Sequence, residues 1–165
     1  MARGATIVSK PELSVNIPYI INTSATIYIG DLVTINTSGF VALVTSSDEK
    51  IAGVCVGFVG PDGELPALTG TDYLTVAADN TTVAQYKAIV DIGRNIMIKI
   101  DADDVMATTN LGQFFDTNNS YQVDVADASD SSGALQLIKL DPEGVADMSM
   151  GVYYIADHQF QQTDS

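Results

Sequence analysis

The fold is decided by residues 30–44, which read GDLVTINTSGFVALV, together with residues 51–58, which read IAGVCVGF. Two apolar runs flank the polar corner at 36–39, and a corner of this composition favours a hairpin turn. A polar loop at 46–50 then leads into the third apolar run. We therefore expect three strands joined by tight turns. On the third strand we expect one face with Val54, Val56 and Phe58 and the other with Gly53, Cys55 and Gly57.

Short apolar stretches separated by turns rich in Gly, Pro, Asn and Asp continue along the rest of the chain. We expect strands at 73–77, 84–91, 94–100, 112–117, 121–125, 134–140 and 151–156. The segments 84–91 and 94–100 are expected to pair with each other, with a helix as the alternative for 84–91, and 101–110 is expected to hold one short helical turn. This pattern predicts an all-β protein, a small β-barrel or β-sandwich of short antiparallel strands.

The first 24 residues differ in character from the rest of the chain. Pro11 and Pro18 disfavour a central strand, because proline lacks an N–H donor. The apolar run from Val15 to Ile21 should nevertheless pack against something. We expect an extended N-terminal arm at 1–24 and a single β domain at 25–165, with two packed β modules at about 25–65 and 66–165 as the alternative.

The charge balance excludes several kinds of partner. Seven Lys and Arg face twenty-one Asp and Glu, which gives a net charge of −14. Nucleic acid and anionic membranes need a cationic surface, so neither is expected as a partner. High acidity suits a protein displayed in many copies, although ordinary solubility or a salt-adapted host explains it equally well. No apolar run approaches the length of a membrane helix, and the start lacks the apolar core of a signal peptide.

The inventory of reactive side chains is small. Cys55 is the single cysteine and His158 the single histidine, and neither lies in a motif for nucleophilic catalysis or zinc binding. We therefore expect no enzyme, no catalytic residue, no cofactor and no metal. Two acidic groups, 101–104 and 124–130, carry oxygen ligands that suit a cation such as calcium, but their spacing is not that of an EF-hand, and solvated acidic loops are the ordinary interpretation.

Several of these stretches resemble one known class of protein. Gly30-Asp31-Leu32-Val33, the turn and strand after it, and Ile51-Ala52-Gly53-Val54 resemble the opening of the small capsid decoration (cement) proteins of tailed bacteriophages. The second half is similar in style at 110–114, 135–141 and 152–155. The resemblance covers most of the chain, which is longer than the smallest decoration proteins and departs from them at 66–100.

The resemblance implies a structural virion protein that binds the outer surface of an assembled phage capsid and bridges neighbouring capsid subunits. The implied partners are the major capsid protein and further copies of this chain, with a trimer favoured over a dimer or monomer. The implied location is the outer capsid surface of the virion, after synthesis in the host cytoplasm.

Candidate contact residues come from the apolar arm and the last strand. We expect the capsid or a neighbouring copy to contact Arg3, Lys10, Val15, Ile17, Tyr19, Ile20 and Ile21, unless the arm packs on its own barrel. The alternative function is a carbohydrate- or receptor-binding β module of a phage head fibre or tail. It needs an exposed aromatic cluster, and Tyr153, Tyr154 and Phe160 are the candidates for that surface or for an oligomer contact.

Overall fold

The computed structural model describes residues 4–9, 15–45, 50–93, 96–141, 150–156 and 159. It is an all-β structure, as predicted. A π-helical turn at Asn80–Ala84 and a 3-10 turn at Thr108–Asn110 are its helical elements in this part of the chain. The strands are β1 Thr6–Ser9, β2 Asn16–Ile20, β3 Thr26–Tyr28, β4 Leu32–Ile35, β5 Val41–Leu43, β6 Gly53–Val59, β7 Tyr73–Thr75, β8 Lys87–Asp91, β9 Met97–Ala102, β10 Phe114–Phe115, β11 Thr117–Asn119, β12 Gln122–Val123, β13 Leu135–Leu140 and β14 Met150–Ile155.

The first sheet nearly closes into a barrel, which we call the first barrel. Its strand order is β2-β8-β6-β4-β5. The end of β2 returns to β5, because Ile21 bridges Val41 and the Asn22 amide donates to the Val41 carbonyl at 2.9 Å. The antiparallel pair β3–β7, which we call the two-stranded ribbon, packs on this barrel through Ile27 and Leu74. One apolar core therefore lies between the first barrel and the two-stranded ribbon.

The second sheet also curves into a barrel, but its two edges are joined in a different way. We call it the second barrel. Its path runs β10-β13-β14-β9-β12-β11, and β1 joins β9 off this path. The two ends of the path, β10 and β11, are consecutive in the chain and flank Asp116. Asp116 makes the corner, since its carbonyl accepts from the Asp124 amide and its Oδ1 accepts from the Ala134 amide. One bent strand thus connects both edges of the second sheet.

The two barrels pack against each other through apolar side chains. The stretch Gly30-Asp31-Leu32-Val33 lies at this contact. Leu32 and Val54 point out of the first barrel into the core of the second, whereas Val33 points into the first core. Asp31 is fully buried between the two barrels. Its Oδ2 accepts from the Tyr28 amide at 2.9 Å, and its Oδ1 accepts from the Ser120 hydroxyl at 3.1 Å. The carboxylate therefore ties the turn between β3 of the ribbon and β4 of the first barrel to the β11–β12 turn of the second barrel.

The sequence predicted the β4–β5 hairpin and β6, but it predicted the faces of β6 incorrectly. Val54 lies in the second core while Cys55 and Phe58 both lie in the first. The register against β8 shifts between Cys55 and Gly57. Such a bulge inserts one residue and reverses the alternation beyond it, which no composition rule signals.

The predicted pairing of 84–91 with 94–100 is also wrong. The structure has strands β8 and β9 in these segments, but β8 pairs with β2 and β6, whereas β9 pairs with β1, β12 and β14. The chain therefore changes sheet between β8 and β9.

Within residues 1–24, β1 and β2 are extended, as predicted, and both strands pack on the body of the molecule. β1 adds to β9 of the second barrel, and β2 adds to β8 at the edge of the first. Pro18 is compatible with β2 because an edge strand needs donors on one side alone. The single predicted helical turn in 101–110 is confirmed at Thr108–Asn110.

Candidate functional site

The expected contact residues of the arm occupy different environments. Val15 is 44% exposed, while Ile17, Tyr19 and Ile20 on β2 are half-buried. Tyr19 packs against the first core, and burial raises the pKa of its hydroxyl. Ile21 is fully buried within its own chain. It is therefore a core residue and not a contact residue, because it sits where β2 closes the first barrel.

Arg3, Lys10 and Phe160, which were also expected at contact surfaces, lie outside the described residues. The same holds for His158. The remaining candidates are the two tyrosines of β14.

Tyr153 is a core residue, which corrects its expected role in a ligand surface. The side chain is fully buried, and its hydroxyl donates to the Met106 sulfur at 2.8 Å. Its ring meets the Phe115 ring edge-on, with centroids 6.0 Å apart. Burial, and to a lesser extent the Asp103 charge, raise the pKa of the Tyr153 hydroxyl. Successive strand residues point to opposite faces, so Tyr153 enters the core and Tyr154 points outward.

Tyr154 belongs to an outward face of the second barrel that we call the lysine-flanked face. It is formed by Met97, Lys99, Lys139, Val152 and Tyr154. Val152 lies opposite Lys99 on one side and Lys139 on the other, and Tyr154 lies opposite Met97. Met97, Val152 and Tyr154 are half-buried and Lys139 is exposed. The bulged residue Ile138, next to Lys139, is 48% exposed. This face combines apolar side chains with two cationic groups.

These lysines stand out because the molecule is acidic. Among the described residues the basic side chains are Lys50, Lys87, Lys99 and Lys139. Two of these four flank one residue, Val152. Lys99 forms an ion pair with Asp141, so part of its charge is compensated within the chain. The Lys139 ammonium is the exposed cation of this face.

A second surface lies on the two-stranded ribbon, and sequence reasoning missed it. The rings of Tyr28 and Tyr73 lie with centroids 4.7 Å apart and tilted by 37°. Further along the ribbon, the hydroxyls of Thr26 and Thr75 are 2.9 Å apart. Both tyrosines are partly exposed, and the inward residues of the ribbon anchor it in the first core. The available signal was Tyr73 in a predicted strand, but its partner Tyr28 is far away in the sequence.

The acidic segments use their carboxylates to hold loops. Asp103 accepts from the Val125 amide at 3.0 Å and from the Asn118 amide group at 3.1 Å. Asp124 accepts from the Ala126 amide, and Asp130 accepts from the Gln113 side chain. No group of three or more acidic, cysteine or histidine side chains that could hold a metal ion occurs among the described residues. The observed role of these carboxylates is structural.

Cys55 is the single cysteine of the chain, and its environment disfavours reaction of its thiol. It is fully buried in the first core. Burial raises the pKa of the thiol from 9.0 to about 12, and the nearby Asp31 charge adds to this effect. A thiol reacts as its thiolate, which is scarce at neutral pH under these conditions.

No protein-family model, curated protein or solved structure matches this chain. Within the part of the chain that the structure describes, no helix has the length and apolar character needed to cross a membrane.

Proposed function

We propose that the protein binds the outer surface of an assembled phage capsid and stabilises it by bridging neighbouring capsid subunits. The proposal starts from the resemblance of residues 30–58 to capsid decoration proteins. The partner would be the major capsid protein, with further copies of this chain beside it, most simply as a trimer. The protein acts through contacts and not through chemistry.

The observation that carries the proposal is the lysine-flanked face. Val152 lies between two lysines, and Tyr154 lies beside it on the same face, on a protein of net charge −14. A protein surface with an apolar centre and an acidic rim fits this face. Burying the apolar groups provides free energy of association, while the lysines orient the acidic partner.

The mechanism is additive over the capsid. Each copy gains free energy only in excess of the entropy that it loses on binding. When one copy, or one oligomer, touches two capsid subunits, the second contact forms at high effective concentration. Separating the subunits then requires breaking both contacts, which stabilises the shell. The half-buried β2 residues Ile17, Tyr19 and Ile20, with exposed Val15, are a further proposed contact area.

The test is the protein composition of purified virions. Quantitative mass spectrometry should find this chain at a fixed number of copies per copy of the major capsid protein. Protease added to intact virions should cleave it, since it is on the outside. Absence of the chain from virions would refute the proposal.

A second candidate function, recognition of carbohydrate by a phage fibre or tail module, is favoured by the Tyr28–Tyr73 pair. Partly exposed aromatic rings offer apolar faces to sugar rings, and the neighbouring Thr26 and Thr75 hydroxyls offer hydrogen bonds. A glycan array with wild-type protein and Tyr73→Ala tests it. Specific binding that the substitution abolishes would support this candidate, and a blank array would remove it.

A further inference from the structure

β1 is an addition to a barrel that closes without it. The path of the second sheet runs from β10 to β11, and the bent strand around Asp116 connects its ends. β1 lies off that path and pairs with β9 at residues 97–99. Removing β1 would therefore leave the second barrel closed and would expose one short length of β9 edge.

The pairing of β1 with β9 is short and irregular. It joins Thr6 to Lys99 and Ile7 to Ile98, and the register shifts before Ser9 meets Met97. Thr6 and Val8 are exposed, whereas Ile7 is half-buried against the second core. A further attachment lies just before the strand, where buried Ala5 donates its amide to the Gly30 carbonyl. β1 is thus held at its start by the Gly30 carbonyl and along one edge by β9.

β1 and the strand that follows it in the sequence belong to different barrels. β1 belongs to the second barrel, whereas β2, the next strand, belongs to the first. Residues 10–14 connect Ser9 to Val15, and six extended residue steps span at most about 20 Å. The site for β1 is thus built by residues remote in the sequence, around Gly30 and 97–99. A copy of β1 that arrives from another chain would find the same site.

We propose that β1 exchanges between copies of this protein, so that β1 of one copy pairs with β9 of the next. The contacts formed are the same in the exchanged and unexchanged states, so exchange costs mainly the entropy of association. That cost falls when copies are concentrated side by side. The partner is a second copy of this chain. The proposal gives a mechanism for the oligomer proposed above and rests on that part of the proposed function.

The test is a disulfide placed across the pairing. Thr6→Cys and Lys99→Cys put cysteines at directly opposed positions, within the Cα separation that a disulfide spans. Native Cys55 is fully buried and does not compete. The matched control is Thr26→Cys with Thr75→Cys, an opposed pair within the two-stranded ribbon. Both variants are oxidised at high protein concentration and run on denaturing gels without and with reductant.

The expected result is a series of disulfide-linked oligomers for the 6–99 pair, converted by reductant to one monomer band. The control pair should give cross-linked monomer alone. Cross-linked monomer alone for the 6–99 pair would overturn the proposal, and so would the absence of any 6–99 disulfide while the control forms.

A second experiment tests exchange without placing both cysteines in one chain. Thr6→Cys and Lys99→Cys are made as separate chains with tags of different size and are co-expressed. Exchange predicts a disulfide between the two different chains, and failure to link them counts against it. These experiments use free protein, so they can fail while capsid binding holds, and capsid binding can fail while they succeed.

Discussion

The two barrels close by different means, and the difference separates what is local from what is long-range in this molecule. The first barrel closes through its own strands, with Ile21 continuing β2 onto β5. Buried Asn80 secures that closure, since its side-chain amide group donates to the Ile21 carbonyl at 2.7 Å. The second barrel takes Ala5, Leu32 and Val54 from outside its own strands. Its stability should therefore depend on the first barrel.

The largest expected effect is in the core of the second barrel, where neighbouring residues should behave differently. Tyr153→Ala removes a fully buried ring and should lower the free energy of unfolding by about 3–5 kcal/mol. Tyr154→Ala, on the outward face, should lower it by about 1 kcal/mol or less. Urea unfolding of both variants measures this. Equal losses would mean that the faces of β14 are assigned incorrectly.

The next effect concerns the joint between the barrels. Asp31→Ala leaves the buried Ser120 hydroxyl without its acceptor and should cost about 1–3 kcal/mol. Because Asp31 ties the second barrel to the first, amide exchange should rise more in β11, β12 and β9 than in β6 and β8. Hydrogen-exchange mass spectrometry measures both sets of strands. An equal rise of amide exchange in both barrels would contradict the dependence of the second barrel on the first.

An effect of similar size, present only at alkaline pH, is expected in the first core. Burial raises the pKa of Cys55 from 9.0 to about 12. Between these values the unfolded chain releases the thiol proton and the folded chain keeps it, so stability falls as pH rises. One such group contributes a slope of about 1.4 kcal/mol per pH unit.

The control for the alkaline effect is Cys55→Ala, which removes this part of the slope. Unfolding in urea at several values between about pH 9 and pH 11 measures it for both proteins. Identical slopes for the variant and the wild type would show that the thiol is not protected by burial.

The smallest effect is expected on the two-stranded ribbon outside the first barrel. Tyr73→Ala removes the ring contact with Tyr28, and such aromatic pairs contribute about 0.5–1.5 kcal/mol beyond their buried area. Thermal unfolding should show a small loss with the cooperative transition retained. A loss as large as that of Tyr153→Ala would mean that the partly exposed Tyr73 ring contributes as much to stability as a fully buried core ring.

The same contrast explains what the sequence could predict. The β4–β5 hairpin and the strand β14 are marked by local alternation and turn composition, and both were predicted. The predicted faces of β6 were wrong because a one-residue bulge at Cys55–Gly57 reverses the alternation of side chains. The pairing of β8 with β9 failed because sheet membership is decided by partners far along the chain.

The candidate site was predictable only in part for the same physical reason. Tyr154 was identified from its strand, but Lys99 and Lys139 join it through pairings between three strands. Tyr28 meets Tyr73 through a ribbon whose two strands are separated by three others in the chain. Surfaces assembled across strands carry no signal within any single stretch of sequence.

The most direct test of the central claim is the affinity of the protein for capsids that lack it. Lys139→Glu and Lys50→Glu both replace an exposed lysine and both change the net charge from −14 to −16. We expect Lys139→Glu to weaken binding by about tenfold or more, equivalent to about 1.4 kcal/mol, because it reverses the exposed charge of the lysine-flanked face. Lys50→Glu should bind like the wild type. Equal affinity for the two variants would show that the lysine-flanked face does not bind the capsid, and no binding by the wild type would show that the protein is not a capsid-binding protein.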